Sequence, residues 1–469
     1  MTTPKDGTQT TLRSLLDGTA TYAAGFLDGL PERKVATTAT AEELRKELGG
    51  PLPEGPHHPE MVVAELARAA DPGIMATPSG RFFGFVIGGS LPAALAADWL
   101  TSAWDQNAGL YAAAPAASVV EEVCGAWLIE LFGLPEHVSY GLVTGCQMAN
   151  FTALAAARHS VLEAAGWDVE ADGLVGAPPI RIILGEERHV TIDRALRFLG
   201  LGTANLQTVP ADGQGRMRAD ALEDALAESS GPTIVCAQAG NVNTGAVDPL
   251  RAICAASREV GAWVHVDGAF GMWAATSPAL RYLTEGMEQA DSWATDAHKW
   301  LNVPYDCGLV FCARPAAHQA AMGIHASYLV HSEDRERDEL DWNPDFSRRA
   351  RGFPVYAALR SLGRSGVTDL VDRCCAHARR FAEALAQEPG VEVLNEVVMN
   401  QVLVRFLDPG GDHDARTRAA VKAVQEDGTC WLGGTFWKGK AAMRISVSNW
   451  STTAEDVDRS VAAILHAAN

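Results

Sequence analysis

The chain has 469 residues, of which 47% are hydrophobic and 20% charged, a composition typical of a globular protein with two or three domains. A formal net charge of −20 argues against a nucleic-acid-binding surface, which needs a basic stripe. Nine cysteines without metal-ligand spacing predict reduced thiols and no metal site. Neither a signal peptide nor an apolar run of membrane-spanning length is evident, so we expect a cytoplasmic protein that binds no membrane.

Three regions follow one another along the chain. Residues 1–75 are predicted to form an N-terminal helical arm broken by proline and glycine. In residues 76–345 short apolar runs alternate with helical stretches, which predicts βαβ units and a large α/β domain with a mostly parallel sheet. Residues 346–469 predict a long helix, two strands and a terminal helix, a smaller α+β domain. The predicted strands are 181–184, 233–236, 263–266, 309–311, 401–406 and 443–447. The charged run 331–339 between the domains predicts a solvated, mobile loop.

Lys299 is the most informative residue of the chain. It follows His298 on a loop between two apolar runs, which is a poor place for a solvated amine but a suitable one for an amine that condenses with an aldehyde. Asp267 ends another apolar run, and its simpler interpretation is a helix cap. Because ligands of parallel sheets bind at the carboxyl ends of strands, Asp267 and Lys299 are predicted to meet there. A lysine for an aldehyde and a buried acid for a ring nitrogen are the protein groups that pyridoxal-phosphate chemistry needs.

Two further features belong to the same pattern. Gly145 lies between an apolar run and an alanine-rich helical stretch, where backbone N–H groups at a helix start could bind a phosphate. A single glycine there is more often an ordinary turn. His189 opens a helical stretch after another strand and could stack on a flat ring, although a capping or surface histidine is the commoner case.

The order of these elements (glycine turn, histidine, aspartate, lysine) resembles the fold-type-I pyridoxal-phosphate enzymes. From about residue 81 onward the chain more closely resembles the group II amino-acid decarboxylases, which include aromatic amino-acid, tyrosine, histidine and glutamate decarboxylases. The resemblance implies that Lys299 of the His-Lys-Trp motif holds the cofactor and that Asp267 of His-Val-Asp-Gly-Ala pairs with the ring nitrogen. It also implies that Ala269 lies under the ring and that His189 stacks on it.

The same resemblance assigns further residues to the cofactor. They are Gly145, Cys146, Gln147, Asn241, Asp296 and His298. Tyr328, in Ser-Tyr-Leu ahead of the charged run, matches the tyrosine that protonates the carbanion in the family. The chain departs from the family pattern at Gln147, which replaces a hydroxyl residue, and at Gln238 and Asn241, which replace threonines. Amide side chains can still donate to the cofactor.

The predicted function is pyridoxal-phosphate-dependent decarboxylation of an L-amino acid to the amine and CO2, by a homodimer, as the resemblance implies. Another reaction on the same cofactor stays open: aldehyde-forming oxidative deamination, transamination or a lyase reaction. Arg444 could bind a substrate carboxylate in a transaminase, or be a buried structural arginine. A non-catalytic binding protein is disfavoured by the retained site residues. Aromatic residues near the predicted substrate pocket favour an apolar substrate or are ordinary core. They are Phe82, Phe83, Phe85, Trp104 and Tyr111.

Overall fold

A computed structural model describes residues 11–228, 230–324 and 336–468. Tyr328 and residues 331–335 of the charged run lie outside these ranges. The described helices are α1 (Leu12–Asp28), α2 (Ala41–Leu48), α3 (Pro59–Ala70), α4 (Pro92–Trp104), α5 (Pro115–Phe132), α6 (Cys146–Ala164), α7 (Val169–Asp172), α8 (Val190–Phe198), α9 (Ala219–Ala227), α10 (Leu250–Glu259), α11 (Pro315–Met322), α12 (Gly352–Ala386), α13 (His413–Asp427) and α14 (Ala454–Ala468). The long helix α12 is broken at Gly363, where φ is 61°.

The strands belong to two sheets. The described strands are β1 (Ser139–Val143), β2 (Arg181–Gly185), β3 (Gln207–Val209), β4 (Thr233–Gln238), β5 (Trp263–Asp267), β6 (Ser292–Asp296), β7 (Gly308–Cys312), β8 (Val391–Val393), β9 (Gln401–Phe406), β10 (Gly433–Trp437) and β11 (Lys440–Ser446). The large sheet has the order β1-β7-β6-β5-β4-β2-β3, and β7 pairs antiparallel with both neighbours. Its other pairs are parallel. The small sheet, β10-β11-β9-β8, is antiparallel. The predicted α/β class with a smaller α+β unit is confirmed.

The sheet order brings the carboxyl ends of six strands, β1 to β6, to one edge. Asp267 is the last residue of β5, and Asp296 is the last residue of β6, three residues before Lys299. The amino end of the reversed strand β7 lies at the same edge, because Gly308 is in register with both Val143 and Asp296. A Cβ on Gly308 would lie 2.3 Å from the carbonyl carbon of Gly145, so a larger residue would push the glycine turn away. This edge is where parallel sheets bind ligands.

The end of the charged run corrects one prediction. The run 331–339 was expected to be solvated throughout, but Asp338 and Glu339 are buried. The Arg337 guanidinium lies between the rings of Tyr140 and Trp342, 4.0 and 4.5 Å from their centroids, and pairs with Glu339 at 2.8 Å. Charge along a sequence predicts solvation only where no partner is available. Here the two rings and the neighbouring acid provide those partners.

Two buried histidines make stability depend on pH. Burial lowers the pKa of His265 in β5 to about 4 and that of His318 in α11 to about 3. Because both values lie below the ordinary value near 6.5, the unfolded chain binds more protons, and stability is lost as the pH falls below 6.5. Each histidine should therefore lower the free energy of unfolding by about 2 kcal/mol between pH 7.5 and pH 5.

Urea unfolding of the wild type and of His318→Gln at these two pH values measures this contribution. The variant should lose about 2 kcal/mol less than the wild type on acidification. The same substitution at the exposed His57 should leave the pH dependence unchanged. An identical pH dependence in the wild type and His318→Gln would show that His318 is not held neutral by burial.

Candidate active site

Lys299 lies at the carboxyl edge of the large sheet, and its amine pairs with a buried acid. Its Nζ is 2.9 Å from Asp296 Oδ2, and the Asp296 side chain is almost fully buried. Burial is the largest single effect on Lys299 and by itself would lower the pKa of the amine. The nearby Asp296, Cys146 and Asp267 outweigh burial, so the pKa of the amine is raised. The amine is therefore charged and must give up its proton before it can attack an aldehyde.

The side chain of Asn302 and the close packing of Gly88 hold the loop of Lys299 in place. Asn302, with φ at 55°, donates from Nδ2 to the carbonyls of Trp300 and Ser448 and accepts from the N–H of Trp450. The lysine loop is thereby joined to the chain that follows β11. Gly88 packs on the other side: a Cβ there would lie 1.8 Å from the carbonyl oxygen of Lys299. The amine is therefore presented from a rigid support.

Asp267 is a carboxylate with three donors already in place. Its Oδ1 accepts from the N–H of Ala269 at 3.2 Å and faces the thiol of Cys146 at 3.5 Å. Its Oδ2 accepts from Asn150 Nδ2 at 3.3 Å. Burial, followed by the charges of Asp267 and Asp296, raises the pKa of the Cys146 thiol, so the sulfur carries a proton that it can donate. These three donors fix the orientation of the Asp267 carboxylate.

The turn at Gly145 leads directly into α6, as predicted. The N–H of Cys146, the first residue of that helix, donates to Asp296 Oδ1 at 2.6 Å. An acidic oxygen is thus already bound at a helix N-terminus, the end of a helix that favours anions. The amide of Gln147 points its nitrogen at the carbonyl of Thr191 at 3.2 Å and leaves its buried oxygen without a partner in the described chain.

Two histidines flank the lysine and the acid. His189 is the N-cap of α8, since its Nδ1 accepts from the Thr191 backbone N–H and lies 2.8 Å from the Thr191 hydroxyl. Burial first, and then the charges of Lys299 and Arg444, lower the pKa of His189. His298 accepts the N–H of Cys307 at Nδ1, so its neutral ring carries the proton at Nε2, 3.4 Å from Asp296 Oδ1.

One cleft of about 290 Å³ joins most of the predicted residues. Its predicted lining residues are Gly145, Cys146, Gln147, His189, Asp267, Ala269, Asp296, His298 and Lys299. The cleft is also lined by Gln238 and Thr191, which the sequence analysis had not assigned to the cofactor. Asn241 is not brought to the cleft, because its side chain closes a local turn: Oδ1 accepts the N–H groups of Asn243 and Thr244, and Nδ2 donates to the Glu187 carbonyl.

The aromatic residues proposed for a substrate pocket separate into two groups. Phe82 and Phe83 are core residues: the first stacks on Trp431 and the second packs edge-on against Phe381. Phe85 is exposed and lies at the rim of the cleft. Trp104 at the end of α4 is exposed, and Tyr111 is partly buried, with its N–H donating to Asp338.

Tyr305 and Arg444 are polar residues near the cleft whose positions the sequence did not predict. Tyr305 stacks on the ring of His298 with a centroid distance of 4.3 Å. Arg444 donates to the Val242 carbonyl at 3.3 Å, has no ion-pair partner among the described residues, and burial lowers its pKa. Tyr305 was not singled out from the sequence, whereas Arg444 was a candidate for binding a substrate carboxylate, and its charge acts on His189.

A reactive lysine, a buried carboxylate and an anion-binding helix start, all at one sheet edge, define a site for an aldehyde cofactor that carries an anionic group. The chain belongs to the pyridoxal-dependent decarboxylase family, whose conserved domain matches residues 42–407. The predicted resemblance, the cofactor pyridoxal phosphate and the class of pyridoxal-phosphate-dependent carboxy-lyases are thereby confirmed.

Relatives cover nearly the whole chain. Aromatic-L-amino-acid decarboxylase of Mus musculus is 28% identical over 404 residues, which are 82% of this chain and 83% of that protein. Phenylacetaldehyde synthase of Arabidopsis thaliana is 25% identical over 445 residues, 91% of this chain and 89% of that protein. The crystal structure of Oryza sativa TDC with PLP and tryptamine has a TM-score of 0.91 at 23% identity, covering 98% of this chain and 99% of that one. The last comparison supports the fold.

The described residues contain neither a metal-binding cluster nor a membrane-spanning helix. In residues 11–228, 230–324 and 336–468, no group of three or more histidine, cysteine or acidic side chains is arranged to hold a metal ion. Within the same ranges, no helix has the length and apolar character that crossing a membrane would require.

Proposed function

We propose that this protein decarboxylates an L-amino acid to the corresponding amine and CO2. The observation that supports this most directly is that Lys299 and Asp267 line the same cleft at one sheet edge, with the N-terminus of α6 beside them. In the pyridoxal-dependent decarboxylase family, relatives named aromatic-L-amino-acid decarboxylases align over most of the chain. An amino acid with an apolar or aromatic side chain is the substrate class that we favour, because Phe85, Val86 and Val242 line the cleft.

The residues of the cleft fit pyridoxal phosphate group by group. Lys299 has the amine that would bind the aldehyde carbon, and Asp267 has carboxylate lone pairs left to hold a proton at the ring nitrogen. Ala269 and His189 line the cleft beside Asp267, where each could contact a face of the ring. We assign the phosphate to the turn of Gly145 and Gln147. When bound, the cofactor supplies an electron sink for the electrons left at the substrate α-carbon.

The chain's own groups would then perform three tasks. Asp267 keeps a proton on the ring nitrogen, which is the form that withdraws electrons from the reacting carbon. Asp296 is positioned to take the proton that Lys299 must lose, since their side chains are 2.9 Å apart. After CO2 has left, we propose that Tyr328 delivers a proton to the α-carbon, an assignment that rests on the Ser-Tyr-Leu resemblance because this residue lies outside the described ranges.

Tyr328→Phe should keep cofactor binding but lower the rate of amine formation about 10²-fold, the lower end of the usual effect of a proton donor. Aldehyde should rise among the products, together with ammonia and hydrogen peroxide, since dissolved O2 can oxidise the substrate α-carbon that is no longer protonated. Cofactor affinity and product distribution are measured on the same preparation, with Tyr22→Phe on α1 as the matched substitution. An unaltered amine yield would remove Tyr328 from the mechanism.

A different reaction on the same cofactor is the second candidate. A relative named phenylacetaldehyde synthase aligns over 91% of this chain, and Arg444, near His189 and without an acidic partner among the described residues, could bind a carboxylate that is retained in a transaminase. Incubation of the holoenzyme with each amino acid, with mass spectrometry of the products, separates the candidates. Amine supports the proposal. Aldehyde or keto acid as the main product would replace it with oxidative deamination or transamination.

We also propose that the protein is a cytoplasmic homodimer. The nine cysteines are free thiols in the structure, as expected in a reducing compartment. Helix α1 has no buried residue and exposes Leu12, Leu16 and Tyr22, and α4 exposes Trp99 and Trp104. An apolar surface of this extent favours association.

Sedimentation velocity should therefore give a dimer for the wild type. Leu16→Glu combined with Tyr22→Glu should shift the protein towards monomer, because the two charges would be placed on the apolar face of α1. Val175→Glu, at an exposed apolar residue outside α1 and α4, is the control and should remain dimeric. A monomeric wild type at micromolar concentration would contradict the assembly.

A further inference from the structure

A line of buried polar side chains leads from the interior of the large sheet to Asp267. Trp263 Nε1 is 2.9 Å from Ser292 Oγ, and Ser292 Oγ is 3.0 Å from His265 Nδ1. His265 Nε2 is 2.9 Å from Asn150 Oδ1, and Asn150 Nδ2 is 3.3 Å from Asp267 Oδ2. Every member is at most 3% exposed, so the line is buried.

The last member of this line determines the direction of its hydrogen bonds. A carboxylate only accepts, so Asn150 donates from Nδ2 to Asp267 and leaves Oδ1 to accept from His265 Nε2. An indole Nε1 only donates, so Ser292 Oγ accepts from Trp263 and keeps its own proton for His265 Nδ1. The neutral His265 ring then carries its proton at Nε2 and donates to Asn150 Oδ1. The amide of Asn150 is thereby oriented with its nitrogen towards Asp267.

The reverse arrangement is unfavourable. If His265 carried its proton at Nδ1, Nε2 would have to accept from Asn150, and the Asn150 amide would turn its oxygen towards Asp267 Oδ2. Two acceptors would then face each other at about hydrogen-bond distance in a buried site, which is costly. The Ser292 proton would also be left without its partner in the line.

We propose that Trp263, Ser292, His265 and Asn150 form a positioning relay that keeps the Asp267 carboxylate correctly turned for the ring nitrogen of the cofactor. This inference rests on the proposed function and adds to it four residues that do not touch the reacting atoms. Chains of hydrogen bonds in a protein interior reinforce one another, so the relay holds the Asn150 amide, and through it the carboxylate, in one orientation. Asn150 is the link, since it is the only member that contacts Asp267 directly among the described residues.

A second histidine–serine pair, between strand β1 and helix α11, provides the control. Ser139 Oγ is 2.9 Å from His318 Nδ1, and His318 Nε2 is 3.0 Å from the Trp342 carbonyl. Both histidines are fully buried, and Ser139 and Ser292 are each in register with Cys312 of β7. Replacing His265 or His318 by the same residue removes a buried histidine–serine hydrogen bond in each case, but only His265 belongs to the line that leads to Asp267.

The test compares two ligands of the apoprotein, pyridoxal phosphate and its 1-deaza analogue, which has a carbon in place of the ring nitrogen. His265→Phe should weaken binding of pyridoxal phosphate roughly tenfold and that of the analogue less than about twofold, since only the first ligand uses Asp267. The readout is the ratio of the affinity for pyridoxal phosphate to the affinity for the analogue. Ser292→Ala, which removes a single oxygen atom, should change this ratio about threefold. His318→Phe and Ser139→Ala should leave the ratio at the wild-type value.

Each result has a distinct meaning. Equal weakening of both ligands, or no weakening of either, would overturn the relay, because the residues would then only shape the pocket or have no influence on it. Failure of the wild type to bind pyridoxal phosphate would overturn the proposed function itself. Histidine 15N spectra give a second readout without ligand, assigned through His265→Phe: the relay requires an unprotonated Nδ1 on His265, and a protonated Nδ1 would overturn it.

Discussion

Replacing Lys299 with alanine should remove the covalent attachment of pyridoxal phosphate and lower the rate of product formation by a factor on the order of 10⁴. The lysine is the sole amine within reach of the described cleft, so no other residue there can take its place. Its loss also leaves the buried Asp296 without its ion-pair partner, with only Oδ1 still bound by the N–H of Cys146 at the start of α6. The visible absorbance of the attached cofactor and the product assay measure the two effects.

Lys422→Ala is the matched control, since this lysine is exposed on α13 and pairs only with Glu426 on the same helix. That variant should keep both the absorbance and the activity of the wild type. An unchanged absorbance in Lys299→Ala would remove this lysine from the proposed mechanism. Recovery of activity with added methylamine would instead support a role for the missing amine in proton transfer.

The fold was predictable because the strand signal is local. Strands β2, β4, β5 and β7 are apolar runs of five or six residues between helical stretches, and their predicted positions agree with the structure within one or two residues. A strand buried on both faces needs such a run, so its sequence identifies it without knowledge of its neighbours. The reversed direction of β7 was not predicted, because strand direction depends on the path of the chain around the sheet.

The cofactor residues were predictable where they follow a strand end, and not where they depend on packing. Lys299, Asp267 and His189 each come directly after an apolar run, and the structure brings all three to the same cleft. Asn241 was assigned by its alignment with a threonine, but its longer side chain reaches back to close its own turn. Phe82 is an aromatic residue that could contact a substrate or belong to the core. Its stacking on Trp431, which the sequence does not reveal, shows that it is a core residue.

Asp267→Asn is the second substitution with a large expected effect: it should lower the rate of product formation about 10³-fold, because an amide cannot hold a proton at the ring nitrogen. The structure makes this substitution severe despite its equal size. Asp267 receives donors at both oxygens, from Ala269 and Cys146 at Oδ1 and from Asn150 at Oδ2. Either orientation of an introduced amide would point its NH2 group at one of these donors, so the side chain would also lose its position.

The control for this prediction is Asp248→Asn, which makes the same change at a buried carboxylate close to β4. Asp248 accepts the N–H groups of Met217 and Gln238 at its two oxygens, each at 2.7 Å, so an amide there would also oppose a donor. Both variants should lose stability, but only Asp267→Asn should lose activity beyond its loss of folded protein. Rates per mole of folded, cofactor-loaded enzyme separate the two effects. Equal rates for the two variants on that basis would show that Asp267 supports the fold rather than the chemistry, and the assignment of the ring nitrogen to this residue would then be wrong.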